Sequence, residues 1–175
     1  MEAASPETRA QARLRQVEEH VRLENLHDLD GVLGTLGADP QYHDEAWEDR
    51  RAGRDGVRAY YAELFAAAGD LRIDVTSRHA SDETVVIEAI ITGAQTGAWR
   101  GLPPTGRPFS IPICAVFSFD PDDRISAETL YYDRATVLRQ LGVFHEPTTA
   151  VGRLLTAINH PLTIAAALLR MITGR

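Results

Sequence analysis

The sequence predicts an α+β domain, on three observations. Apolar residues in the first third of the chain recur at helical spacing. After Gly69 the spacing falls to two, the period of a half-buried strand. The strand-like runs then follow one another without helices between them, the pattern of an antiparallel meander and not of alternating βαβ units.

Taken in order, Ser5-Pro6-Glu7 reads as an N-cap with Pro at the first helical position. A helix follows along Leu14, Val17, Val21 and Leu26, with Arg13, Arg15, Glu18, Glu19 and Arg22 on its solvated face. Asp30 is placed as the cap of a second short helix through Val32, Leu33 and Leu36, stopped at Gly37. Asp39-Pro40 releases the chain into a short strand or edge segment over residues 41–47. Asp55-Gly56 opens a third helix with the clearest period in the chain, Val57, Tyr60, Tyr61, Leu64 and Phe65. At most one of Tyr60 and Tyr61 is expected to face inward. Leu71, Ile73 and Val75 form a strand, turned at Ser81-Asp82-Glu83 into a long strand over 84–97. Residues 98–106 are a rigid Gly/Pro-rich loop, and residues 107–120 a second long strand. Pro108 and Pro112 must then lie on an edge or at a bulge. Pro121-Asp122-Asp123 turns the chain into a last strand ending at Asp133, and a short helix runs on to a stop at Gly142.

At 175 residues the chain is expected to form one domain with an extension. Eighteen Lys+Arg against 25 Asp+Glu give a net charge of −7, which argues against a nucleic-acid surface. The single Cys114 excludes an intramolecular disulfide and reads as a buried structural thiol. There is no cysteine cluster or HExxH-type zinc motif, and no metal or cofactor is expected. The N-terminus is charged and lacks the apolar core of a signal peptide, and a cytoplasmic protein is the default expectation.

The junction at Asp133 draws attention because a strand there runs directly into a helix. Tyr131 and Asp133 share one face of that strand, and Leu130 and Tyr132 the other. If the first face looks into a cavity, Asp133 is a candidate general base. It is equally a favoured N-cap, which needs no chemistry. The two roles pull its pKa in opposite directions: a cap becomes more acidic, and a base in an apolar pocket less so.

Two stretches, Gly93-Ala-Gln-Thr-Gly97-Ala-Trp-Arg-Gly101-Leu-Pro-Pro-Thr-Gly106 and Tyr132-Asp133-Arg-Ala-Thr136-Val-Leu-Arg-Gln-Leu-Gly142, resemble the SnoaL-like polyketide cyclase (ester cyclase) family of the NTF2-like superfamily. Gly53–Tyr61 and Asp70–Val75 fit the same pattern, and the resemblance covers about residues 12–144. It implies an α+β cone, in which a curved antiparallel sheet wraps around N-terminal helices and encloses an apolar pocket. It also implies a cyclase-like lyase or isomerase in which Asp133 is the general acid/base, removing a proton from a carbon between carbonyls ahead of aldol cyclisation or isomerisation. A non-catalytic binder of a hydrophobic small molecule, or a dimerisation module on the same fold, is the alternative. The polar side chains that such cyclases place along the cavity are replaced on the neighbouring strand by Phe117 and Phe119, which favours an apolar ligand. Limonene-type epoxide hydrolases of the superfamily use an Asp-Arg-Asp arrangement. No Arg-x-Asp or Asp-x-Arg occurs within the strands from 107 to 133, so that chemistry is not expected.

The remaining candidates for the substrate pocket are Tyr131 as a hydroxyl donor, Gln95 to orient a carbonyl, His43 at the cavity mouth, and Trp47 and Trp99 as a wall. Each has a plainer reading as core, rim or cross-strand packing. An apolar small molecule and a homodimer or higher homo-oligomer are the expected partners.

The family-like domain is assigned residues 1–146, and residues 147–175 form an apolar helical extension, with Asn159-His160-Pro161 splitting it into two short helices. It is expected to pack onto the sheet or cover the cavity mouth, or else to enlarge a dimer interface. Contact with a membrane surface through Arg153, Arg170 and Arg175 is the least favoured reading, because the whole chain is acidic.

Overall fold

A computed structural model describes residues 8–174. The proposed cap at Ser5–Glu7 lies outside the described residues. Helix α1 (Arg9–Asn25) is instead capped by Thr8, which makes a reciprocal capping box with Gln11. Helix α2 (Leu29–Thr35) is capped by Asp28, not Asp30. Strand β1 (Leu36–Asp44) starts earlier than expected and pairs with β2 (Asp49–Ala52), a strand the sequence reading missed. Helix α3 (Gly53–Ala67) follows, then β3 (Arg72–Ala80), β4 (Thr84–Ala94), β5 (Pro108–Phe119), β6 (Ile125–Tyr132) and helix α4 (Arg134–Gln140).

The six strands form one curved sheet in the order β2-β1-β6-β5-β4-β3. All neighbours are antiparallel except β1 and β6, which run parallel. Register shifts interrupt β3 against β4 at Val75/Ser77 and β5 against β6 at Ser118/Phe119. Bulges of this kind bend the bulged strand. Pro112 lies one residue beyond Ile113, the last residue of β5 that β6 pairs, so β5 is locally an edge there.

Alternation sorts the side chains. Val85, Ile87, Ala89 and Ile91 of β4, and Ile111, Ile113, Ala115 and Phe117 of β5, point inward and are buried. They meet Val17 and Val21 of α1, Val32 and Leu33 of α2, and Val57, Tyr60 and Tyr61 of α3. Asn25 fixes α1 to the sheet, exchanging two hydrogen bonds with the backbone of Ile73. Both Tyr60 and Tyr61 are buried, against the expectation for one. Helix α3 lies inside the cone, so an arc wider than one residue step faces core. Cys114 has the other parity and is half-buried on the outer face, not in the core.

Beyond α4, helices α5 (Ala150–Asn159) and α6 (Pro161–Thr173) pack on each other across a 106° bend. They stand off from the sheet, and α6 has no buried residue. The expectation that the extension packs onto the sheet or covers the cavity mouth is thus not met. Val137 of α4 and Leu141 just after it close that end of the cavity instead. Among the described residues no single helix is long and apolar enough to cross a membrane.

Candidate functional site

The cone encloses a narrow cavity whose room for the centres of water-sized molecules is about 80 Å³. Its wall is mainly apolar, with Ile87, Ile113, Phe117 and Leu130 from the sheet and Val21 and Leu64 from the helices. Two carboxylates open onto it, Glu24 from α1 and Glu128 from β6.

Their placement follows from local geometry. In α1, Val17, His20, Val21 and Glu24 fall at i, i+3, i+4 and i+7, so His20 and Glu24 continue the buried stripe. In β6, Glu128 alternates inward with Leu130 and Tyr132. His20 is fully buried, and Glu24 and Glu128 are almost so. His20 Nε2 lies 3.9 Å from Glu24 and 3.6 Å from Glu128.

The protons at this end can be counted. Thr35 Oγ1 donates to the Val32 carbonyl at 2.7 Å, so its contact with His20 Nδ1 at 2.6 Å is an N–H bond donated by the imidazole. Tyr61 donates its hydroxyl proton to Glu128 at 2.8 Å. Its oxygen must then accept from His20 Nε2 at 3.0 Å. In this arrangement of donors His20 carries both protons. Burial pulls the His20 pKa down, but Glu24 first and Glu128 with it outweigh burial and hold it above its ordinary value. Burial pushes the Glu24 carboxyl up to about 7, against the pull of His20 and helped by the charge of Glu128. Ligand atoms of these three residues lie within 4.8 Å of one another, close enough to share protons or a cation. A second polar element lies in the wall. Tyr42 and Tyr60, ring centroids 3.9 Å apart, share one hydrogen bond of 3.0 Å. One hydroxyl proton of the pair is left to donate to a ligand.

The residues singled out from sequence divide. Gln95, Trp99 and Phe117 line the cavity. Gln95 is occupied with the loop that follows it: its amide donates to the carbonyls of Gly97 and Pro103, and its oxygen accepts from Thr105. It shapes the wall and has no donor left for a substrate carbonyl. Phe119 lies past the register shift, under the Arg13 guanidinium, and is not in the wall. His43 alternates with Tyr42 and Asp44 and so faces away from the cavity. Trp47 packs beneath Arg100 and Arg134 outside it.

Asp133 and Tyr131 do not face the cavity. They do share a face, but it is the outer face of the sheet. Tyr131 is 49% exposed. Asp133 is an exposed cap of α4, accepting from the backbone N–H groups of Ala135 at 2.9 Å and Thr136 at 3.1 Å. The Thr136 hydroxyl first, and then those N–H groups, hold its carboxyl below the ordinary range.

An Asp–Arg–Asp group is present after all, although no strand carries it as a motif. Arg100, from the loop after β4, bonds Asp44 of β1 at 3.0 Å and Asp49 of β2. It stacks 4.7 Å over Trp99, and Tyr132 donates to Asp44 at 2.9 Å. Burial raises the pKa of Asp44 despite these partners. Tyr132, Tyr60 and Trp99 stand between this group and the cavity, so it acts as a strut behind the wall.

This curved sheet over helices is the ketosteroid isomerase-like, or NTF2-like, fold. The chain belongs to the SnoaL-like polyketide cyclase family, whose sequence profile matches residues 12–141. Its fold is similar to that of a protein described as a putative SnoaL-like polyketide cyclase from Jannaschia sp. CCS1, with TM-score 0.66, 22% identity, and coverage of 79% of this chain and 97% of that one. It is also similar to IdmH, described as a putative polyketide cyclase of Streptomyces antibioticus, with TM-score 0.63, 22% identity, and coverage of 75% and 99%. A hypothetical protein from Catenulispora acidiphila, described as having a ketosteroid isomerase-like fold, gives TM-score 0.63 at 22% identity over 73% of this chain and 92% of that one. At that identity the likeness concerns the fold. No curated protein matches the chain.

Proposed function

We propose that this protein is a cyclase- or isomerase-type enzyme that takes an apolar carbonyl compound into the cone. In this reading Glu24 and Glu128 exchange the proton, and Asp133 does not. One observation carries it: two buried carboxylates open onto a mainly apolar cavity, and burial pushes one of them, Glu24, up to about 7. A general base works best when its pKa lies near the operating pH, and a carbon acid flanked by carbonyls needs no stronger one. Glu24 takes the proton from carbon. The Tyr42–Tyr60 pair donates to the enolate oxygen that results. Protonated Glu24 then returns its proton, either to the alkoxide formed when the enolate attacks a second carbonyl of the same molecule or to another carbon of the enolate. The His20 charge steadies both carboxylates throughout. Family membership supports the reaction type, and the apolar wall supports the ligand class.

The test uses deuterium exchange at the α-carbon of α-tetralone, an apolar bicyclic ketone, followed by NMR in heavy water. Wild-type protein is expected to accelerate exchange. Glu24→Gln should reduce that acceleration by about 10²-fold or more, while Asp133→Asn, which still caps α4, should keep it within a few-fold. Exchange unaffected in Glu24→Gln, or abolished in Asp133→Asn, would overturn the assignment.

A further inference from the structure

The extension beyond the cone is used neither by the cavity nor by the sheet. Helix α6 is apolar almost all round. Leu162 and Met171 are nine positions apart and so on opposite sides of the helix, yet they are 85% and 80% exposed. Thr163 and Arg170, seven apart, make a narrow polar stripe, with Thr173 at the helix end. A partner helix or a flat protein surface covers one side of a helix and leaves the other wet. A helix apolar on both sides suits a medium that surrounds it. Helix α5 adds Val151, Leu154 and Ile158, all exposed. The bend of 106° and the short lengths keep either helix from spanning alone.

The charge is as one-sided as the hydropathy. Residues 147–175 hold Arg153, Arg170 and Arg175 and no acid, so all 25 acidic residues of the chain precede them. We propose that α5 and α6 dock this protein on the surface of an anionic lipid bilayer. Helix α6 sinks to the acyl boundary, so that lipid meets both of its apolar sides, and the stems of Arg153 and Arg170 reach back so that their guanidinium groups meet lipid phosphates. The acidic cone faces away from the lipid. At physiological ionic strength its repulsion is screened beyond about 8 Å, while the arginines lie at the surface itself. This places the cone beside a phase in which an apolar ligand dissolves, but the proposal stands without the catalytic reading.

The experiment is flotation of the full-length protein with vesicles of phosphatidylcholine, with and without phosphatidylglycerol, at physiological salt. Wild-type protein is expected to float with the anionic vesicles, partitioning at least about tenfold more than with phosphatidylcholine alone. The double variant Leu162→Glu with Leu169→Glu should lose flotation while keeping its melting temperature, since neither residue touches the core. Absence of flotation with both vesicles would overturn the proposal, and equal partition into both would overturn its anionic specificity. Light scattering without lipid separates the rival reading: a dimer that the double variant dissolves, with no vesicle binding, makes the extension an interface between copies.

Discussion

His20, Glu24 and Glu128 are the residues on which the chemistry rests, and they were within reach of the sequence. His20 and Glu24 sit on the stripe set by Val17 and Val21, and Glu128 shares the parity of Leu130. What the sequence did not give was the direction of the last strand. Parity shows that Tyr131 and Asp133 lie together; only the side on which α1 and α3 pack shows that their face is the outer one. Tyr61 ties two of the three charged groups together, so Tyr61→Phe should cost about 1–3 kcal/mol in denaturant unfolding, by leaving buried donors and acceptors unpaired. The pH dependence has a definite sign. Glu24 binds its proton more tightly folded than unfolded, from its ordinary value of 4.5 up to about 7. The stability that proton supplies is present at low pH and is lost as pH rises through about 7, and His20, also raised, acts in the same direction. The melting temperature should therefore fall as pH rises from about 5 to about 8, and Glu24→Gln should flatten the slope. A slope of the opposite sign would refute the arrangement of charges.

The loop after β4 is the element that builds the cavity wall. Thr96 and Gly97 donate their backbone N–H groups to the Ala67 carbonyl at the end of α3, which brings the loop against that helix. A Cβ on Gly97 would lie 2.0 Å from the Ala66 carbonyl oxygen, so only glycine allows the approach. Arg100 then anchors the loop to Asp44 and Asp49, and Trp99 is left facing the cavity. The glycines and prolines of 98–106 identified this segment as a rigid loop. Its anchors were not legible, because Asp44 and Asp49 are more than fifty positions away from Arg100. Arg100→Met should destabilise the protein by about 3 kcal/mol, leaving Asp44 buried with Tyr132 as its remaining side-chain partner. Thermal unfolding of this variant, with Asp44→Asn added to remove the stranded charge, separates the two contributions: the second change should restore part of the loss.

In the whole molecule, the α+β class, the long strands and the order of elements were legible because each follows from local period and turn chemistry. The parallel contact of β1 with β6 was not, since it joins segments more than eighty positions apart, and β2 is too short to announce itself. Residues 147–175 were recognised as apolar and helical, but their separation from the cone is a tertiary property. Removing them should leave the melting temperature of the cone nearly unchanged, since α6 buries nothing in it. The central claim is that the working carboxylate lies inside the cone and not at the α4 cap. Carbon-13 NMR titration of the free protein, labelled at Glu and Asp carboxyl carbons and assigned with Glu24→Gln and Asp133→Asn, tests it most directly. The expected result is a Glu24 midpoint near 7 and an Asp133 midpoint below its ordinary value. A Glu24 midpoint near 4.5, with Asp133 titrating above it, would contradict the account.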